Sequence, residues 1–189
     1  MRIYFSLIPW MFLFLVPAIT MRMWAEERKK GTEEVLLTLP LRDYEVVIGK
    51  FVACVVFLSI GLLLSFVLPL MVNALGDLDW GVTIGSYLGS VLLGSAYIAI
   101  GLWCSSLTSN QITAFIVAVV LSFLFFVIGQ EFVLFSVPTF LAGFFRFLSI
   151  STHFDSVSRG VLDSRDVIYY VSFVGFFLYL NVLRVKSRR

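Results

Sequence analysis

The chain has 189 residues, 60% of them apolar and 14% charged, with a formal net charge of +2 and a mean hydropathy of +0.99. Those proportions exclude a soluble globular domain, which needs far more charge to cover its surface. They also exclude a nucleic-acid partner, because the basic residues sit at the edges of apolar blocks and form no basic face.

The placement of charge says more than its total. No charged residue occurs in 51–76 or in 80–130, and each run exceeds the roughly 20 residues that cross a hydrocarbon core. In chain order the apolar blocks predict five crossings, at 3–21, 46–75, 84–107, 111–129 and 167–184. The expected fold class is all-α, a polytopic helical membrane protein with a single transmembrane domain over 1–189. The first block contains Pro9 and Pro17, follows only Arg2, and lacks a small-residue cleavage pattern. It reads as a span rather than a removable signal. In the third block Gly85 and Gly89 form a GxxxG, with Ser86, Ser90 and Gly94 at four-residue spacing on a neighbouring stripe. Small residues at that spacing let helix backbones approach closely in lipid. The long uncharged run turns at 105–111, its only dense polar cluster, where serine and asparagine satisfy backbone groups at a tight turn. Cys54 and Cys104 fall inside apolar blocks and read as small buried hydrophobes.

Orientation follows from the basic residues. Arg22, Arg28, Lys29, Lys30, Arg42 and Lys50 flank the first loop, and Arg184, Lys186, Arg188 and Arg189 end the chain. The positive-inside rule places these ten in the cytoplasm and leaves Arg2, Arg146, Arg159 and Arg165 outside. Five crossings with a cytoplasmic C-terminus then put the N-terminus outside. The block 132–150 is split by Pro138 and carries Arg146. A sixth crossing there would reverse the last span, so an external re-entrant helical hairpin is expected. Broken helices of that kind persist only when packed in protein or lining a cavity. Arg146 has two readings, a functional intramembrane charge paired with Glu131 or Asp155, or a side chain snorkelling to the headgroups.

The loop 22–45 carries the densest information. Trp24 suits the membrane interface, and residues 26–30 continue the first helix with opposite charges at helical spacing. Gly31 breaks that helix. Thr32 is placed to cap a new one, with Glu33 and Glu34 at its positive end, and Pro40 stops it after about two turns. Val35, Leu36 and Leu39 share one side. Two turns are not stable alone in water, so the helix either lies on lipid headgroups or docks a partner.

The run Glu26-Glu27-Arg28-Lys29-Lys30-Gly31-Thr32-Glu33-Glu34-Val35-Leu36-Leu37-Thr38-Leu39-Pro40, followed by Gly49-Lys50, resembles the cytosolic loop of type-2 ABC exporter permeases. It is most similar to the branch holding the gliding-motility and copper-site-maturation permeases. Residues 17–22, 153–160 and 163–166 resemble that branch too, so the likeness covers essentially the whole chain. The resemblance implies that 31–40 is a coupling helix docking a separate cytoplasmic ABC ATPase subunit, through Glu26, Glu27, Gly31, Thr32, Glu33, Glu34, Leu36, Leu37 and Pro40. It implies two permease subunits, a homo- or heterodimer, in the lipid of a bacterial cytoplasmic membrane. It also implies six crossings, so the chain is expected to lack the first. An alternative from another class is a non-transporting anchor for a cytoplasmic or motility machine.

Enzymatic readings are weak. Gly49-Lys50 lacks the rest of a phosphate loop, and His153 with Asp155, Ser156 and Ser158 lacks a nucleophile elbow. A structural role at the start of the last helix is expected for that group, with Asp163 and Asp166 at the helix N-terminus. No cofactor or metal is called for, and ATP hydrolysis is expected of the partner. The spans hold no carboxylate or cation cluster, which suits an amphiphilic cargo or a permease that transmits force.

Overall fold

The computed structural model describes residues 2–38, 40, 42–136, 138–158 and 163–187, with the side chains of residues 2, 37, 139 and 140 outside that description. Among the described residues there are eleven helices and no strand. They are α1 (Arg2–Thr20), α2 (Arg22–Lys30), α3 (Thr32–Thr38), α4 (Asp43–Ser65), α5 (Val67–Leu75) and α6 (Trp80–Leu107). Then follow α7 (Gln111–Val127), α8 (Glu131–Ser136), α9 (Thr139–Leu148), α10 (Ile150–Val157) and α11 (Ser164–Lys186). Four stretches are long and apolar enough to cross a membrane: Ile3–Lys30, Asp43–Leu75, Trp80–Leu107 and Ser164–Lys186. The remaining expected crossing is α7, whose 17 residues span about 26 Å at 1.5 Å per residue. The protein is therefore an all-α polytopic membrane protein.

Two of these stretches bend, each for an identifiable reason. Pro69 has no N–H for the carbonyl of Ser65, and its ring crowds that carbonyl. The chain turns there between α4 and α5, with Phe66 N–H donating to Leu63 O at 3.1 Å. Between α1 and α2 the helix ladder is interrupted by a side chain from elsewhere. The Ser105 hydroxyl of α6 donates to Met21 O at 2.9 Å and accepts from Trp24 N and Ala25 N, both at 3.1 Å. A foreign hydroxyl in the ladder is a recognised cause of a bend.

The α6 helix is the centre of the molecule and packs against α1, α2, α4, α7, α10 and α11. Its small residues explain why so many helices reach it. A Cβ at Gly89 would stand 2.5 Å from Val157 Cγ1, and one at Gly94 would stand 2.8 Å from Leu58 Cδ2 and 3.2 Å from Phe12 Cε2. Gly85 is buried on the same helix. Two glycines outside the GxxxG pattern are tighter still: Gly101 faces Thr20 Oγ1, and Gly129, beyond α7, faces Ser149 Oγ. On α11 a stripe of Tyr170, Phe173, Phe177, Asn181 and Val185 is buried.

The expected turn at 105–111 is shorter than the polar cluster that suggested it. Ser105 and Ser106 remain helical in α6, and the chain turns over 108–110. Asn110 caps α7 by accepting from Ile112 N at 3.0 Å. Ser105 is conscripted by α2, which is why it belongs to a helix.

Residues 131–157 form three short helices, none of them long enough to cross. Pro138 separates α8 from α9 and Ser149 separates α9 from α10. The start of α10 sits on α7, where Ser151 Oγ donates to Phe126 O at 2.9 Å. Its end sits on the start of α6 at Gly89 and Ser86, the Ser86 hydroxyl lying 3.3 Å from Ser158 O. Arg146 is exposed on α9 and makes no ion pair among the described residues. Asp163 caps α11, accepting from Arg165 N at 3.2 Å.

Candidate functional site

The α2–α3 elbow is built around Gly31, whose φ of +71° lies in the left-handed region. A side chain is strained there, and glycine is the usual residue at a helix end of this form. Its N–H donates to Arg28 O at 3.2 Å. The Thr32 hydroxyl closes the end of α2, donating to Glu27 O at 3.2 Å. That differs from a cap on α3: the carbonyls that α2 leaves open are the nearer partners.

Three ion pairs fix the elbow, and they differ in depth. Arg28 grips Glu33 with two bonds, Nε to Oε2 at 2.9 Å and Nη2 to Oε1 at 3.1 Å. The same Nη2 donates to Ser106 O at 2.8 Å, a carbonyl of the last turn of α6. A cation there is favoured by the helix dipole and satisfies an otherwise open acceptor. Both side chains are mostly buried, at 14% and 9% exposure, and the fork geometry suits arginine alone. Lys50 of α4 donates to Glu27 and, at 2.6 Å, to Met23 O. Lys50 also stands 4.4 Å from the centre of the Trp24 ring, within cation–π range. Trp24 is fully buried, so it is a platform for Lys50 inside the protein, in place of the interfacial anchor its position suggested. The third pair, Lys30 with Glu26 at 2.6 Å, lies on the exposed side of α2.

The nine residues expected at a docking surface therefore divide. Glu27 and Glu33 point inward as struts, and Glu26 is occupied by Lys30. Leu36 is half-buried against the core. Gly31, Thr32, Glu34 and Pro40 are exposed. The Leu37 side chain lies outside the described residues, as does Leu39. Two residues outside those nine join the outward face: Val35, 64% exposed, and Thr38. Beside the elbow lies a recess of about 480 Å³ lined by Lys29, Ser109, Asn110, Gln111 and Ile112. Ser105, Ser106 and Lys50 hold the elbow from segments distant in the chain, a role that nothing in their own neighbourhoods announces.

No group of three or more histidine, cysteine or carboxylate side chains stands close enough to hold a metal among the described residues. No curated protein matches the chain. The family described as ABC-2 family transporter protein matches residues 1–183, almost the whole chain, and the protein therefore belongs to that family of membrane transport components.

Proposed function

We propose that this chain is the permease subunit of an ABC transporter and that α3 docks a separate ATP-hydrolysing subunit. The observation that carries the proposal is the division of α3 into a clamped face and an open one. A two-turn helix has little stability of its own, yet Glu33 is locked by Arg28 onto the end of α6. Its other side leaves Glu34, Val35 and Thr38 exposed, with no element over them among the described residues. A rigidly held short helix with an exposed acidic and apolar edge suits the groove of a partner protein better than it suits anionic headgroups, which repel Glu34.

In this reading the elbow and the C-terminus are cytoplasmic, α8–α10 form the external cap, and two permease subunits make one transporter in a cell membrane. The test uses Glu34→Lys with Val35→Asp in the full chain, co-expressed with the ABC ATPase that co-purifies with the wild-type chain. Membrane insertion and yield should be unchanged, while recovery of the ATPase and the ATP hydrolysis it brings should fall at least about tenfold, the effect of some 1.4 kcal/mol. Undiminished recovery of an active ATPase overturns the docking role of α3.

A further inference from the structure

At the opposite end of α6 the break at Ser149 opens backbone carbonyls between α9 and α10, and three side chains answer them. Tyr169 of α11 donates to Leu148 O at 2.7 Å and Tyr170 donates to Ile150 O at 3.1 Å. His153 of α10 places Nε2 3.2 Å from Phe147 O, while its Nδ1 lies 2.6 Å from Asp166 Oδ1. The imidazole stacks on the Tyr169 ring with centres 4.0 Å apart and planes 18° from parallel. Both partners are shielded, at 14% and 8% side-chain exposure.

The two contacts of His153 make different demands. A backbone carbonyl only accepts, so Nε2 must carry a proton for its contact to exist. The Nδ1–Oδ1 contact needs a second proton, on the ring or on the carboxyl. We infer that His153 and Asp166 form a two-proton site in the α9–α11 cluster, and that loss of one proton loosens α9. When the pair holds one proton fewer, the proton stays between Nδ1 and Oδ1, where a bare nitrogen would otherwise face a carboxylate. Nε2 is left bare against Phe147 O, two acceptors repel, and the end of α9 keeps only the Tyr169 bond at Leu148 O.

Among the described residues the charged and titratable groups around this pair are few. From α11 come Asp166, Tyr169 and Tyr170, with Asp163 and Arg165 near its start; α10 adds Asp155, and α6 brings Tyr97 beside Tyr170. From α9 the ring meets the Phe147 side chain and carbonyl, and the neighbouring Arg146 is exposed. The second carboxylate oxygen, Asp166 Oδ2, is buried without a hydrogen-bond partner among the described residues, while Oδ1 meets His153.

His153 is the sole histidine in the chain, so ring labelling with nitrogen-15 reports this site without assignment. The full chain in nanodiscs is taken from about pH 5 to about pH 9, reading the protonation of Nε2. Amide exchange in α9 is followed in parallel, scaled to α7 as an internal reference. Nε2 should be protonated at the acid end and lose its proton on rising pH, with α9 exchange accelerating at least about fivefold over the same interval. In Asp166→Asn, which keeps the shape but removes the carboxylate, the amide donates to a bare Nδ1, so Nε2 should keep its proton and α9 exchange should stay flat across the range. Nε2 protonated throughout in the unsubstituted chain, an α9 exchange rate that ignores the loss of that proton, or the same pH response in Asp166→Asn each overturns the inference.

Discussion

The two ends of α6 meet the same difficulty with different chemistry. At the Ser105 end the α1–α2 joint leaves backbone groups open, and at the Gly89 end the α9–α10 joint does so. Buried backbone groups must find partners, and at both joints they find them on a helix remote in sequence. The elbow end uses a serine hydroxyl, an arginine and one lysine. The cap end uses tyrosines, serines and one histidine–aspartate pair. From Ser86 to Ser105 the rise is about 28 Å, close to the thickness of a hydrocarbon core. One end is thus held by a serine and ion pairs, and the other by hydroxyls, aromatic rings and a histidine–aspartate pair.

That contrast can be broken most severely at Arg28. Replacement by methionine leaves Glu33 charged, enclosed and without its main partner, at a cost of about 3 kcal/mol for a buried pair cut on one side. Thermal unfolding in detergent should drop accordingly, and limited proteolysis should cut between α2 and α3. An unchanged cleavage pattern would show that Leu36 packing, rather than the ion pair, holds α3. Next come two glycines, one for each end. Gly101→Ala drives a methyl into Thr20 and Gly129→Ala drives one into Ser149, each an overpacking cost of about 2 kcal/mol. Amide exchange should rise in α2 for the first and in α10 for the second. If both variants loosen the whole bundle equally, the ends are not separable units.

The smallest effect tests what lies between the ends. Asn181 is fully buried on α11, and among the described residues neither its amide nitrogen nor its oxygen has a hydrogen-bond partner. Asn181→Leu removes unpaired polar atoms at nearly constant volume and should raise stability by about 1 kcal/mol. A loss of stability instead would mean that Asn181 has a partner in the assembled protein.

Legibility in the sequence follows the range of the interaction. The crossings were readable because charge is absent over whole spans, and the break at Gly31 because a glycine follows a charged helical run. The broken block at 132–150 was announced by Pro138. Ser105 was misread as a turn residue and Trp24 as an interfacial anchor, since nothing local says that a hydroxyl will insert into a helix some eighty positions earlier. Gly101 and Gly129 escaped notice because their small-residue partners, Thr20 and Ser149, lie elsewhere in the chain. Glu33 and Glu34 look equivalent in the sequence, and only the reach of Arg28 sends one inward and leaves the other outside. His153 and Asp166 were each expected to serve the start of α11, but their mutual bond depends on how the cap folds back.

The hydroxyl of Ser105 has a mechanical meaning. Three bonds converge on one oxygen, two from α2 and one to the carbonyl that closes α1. Rotating α2 about its own axis therefore either severs the two bonds from Trp24 and Ala25 or turns α6 with it. Torque entering at the elbow has a keyed shaft to follow, and that shaft ends under the cap.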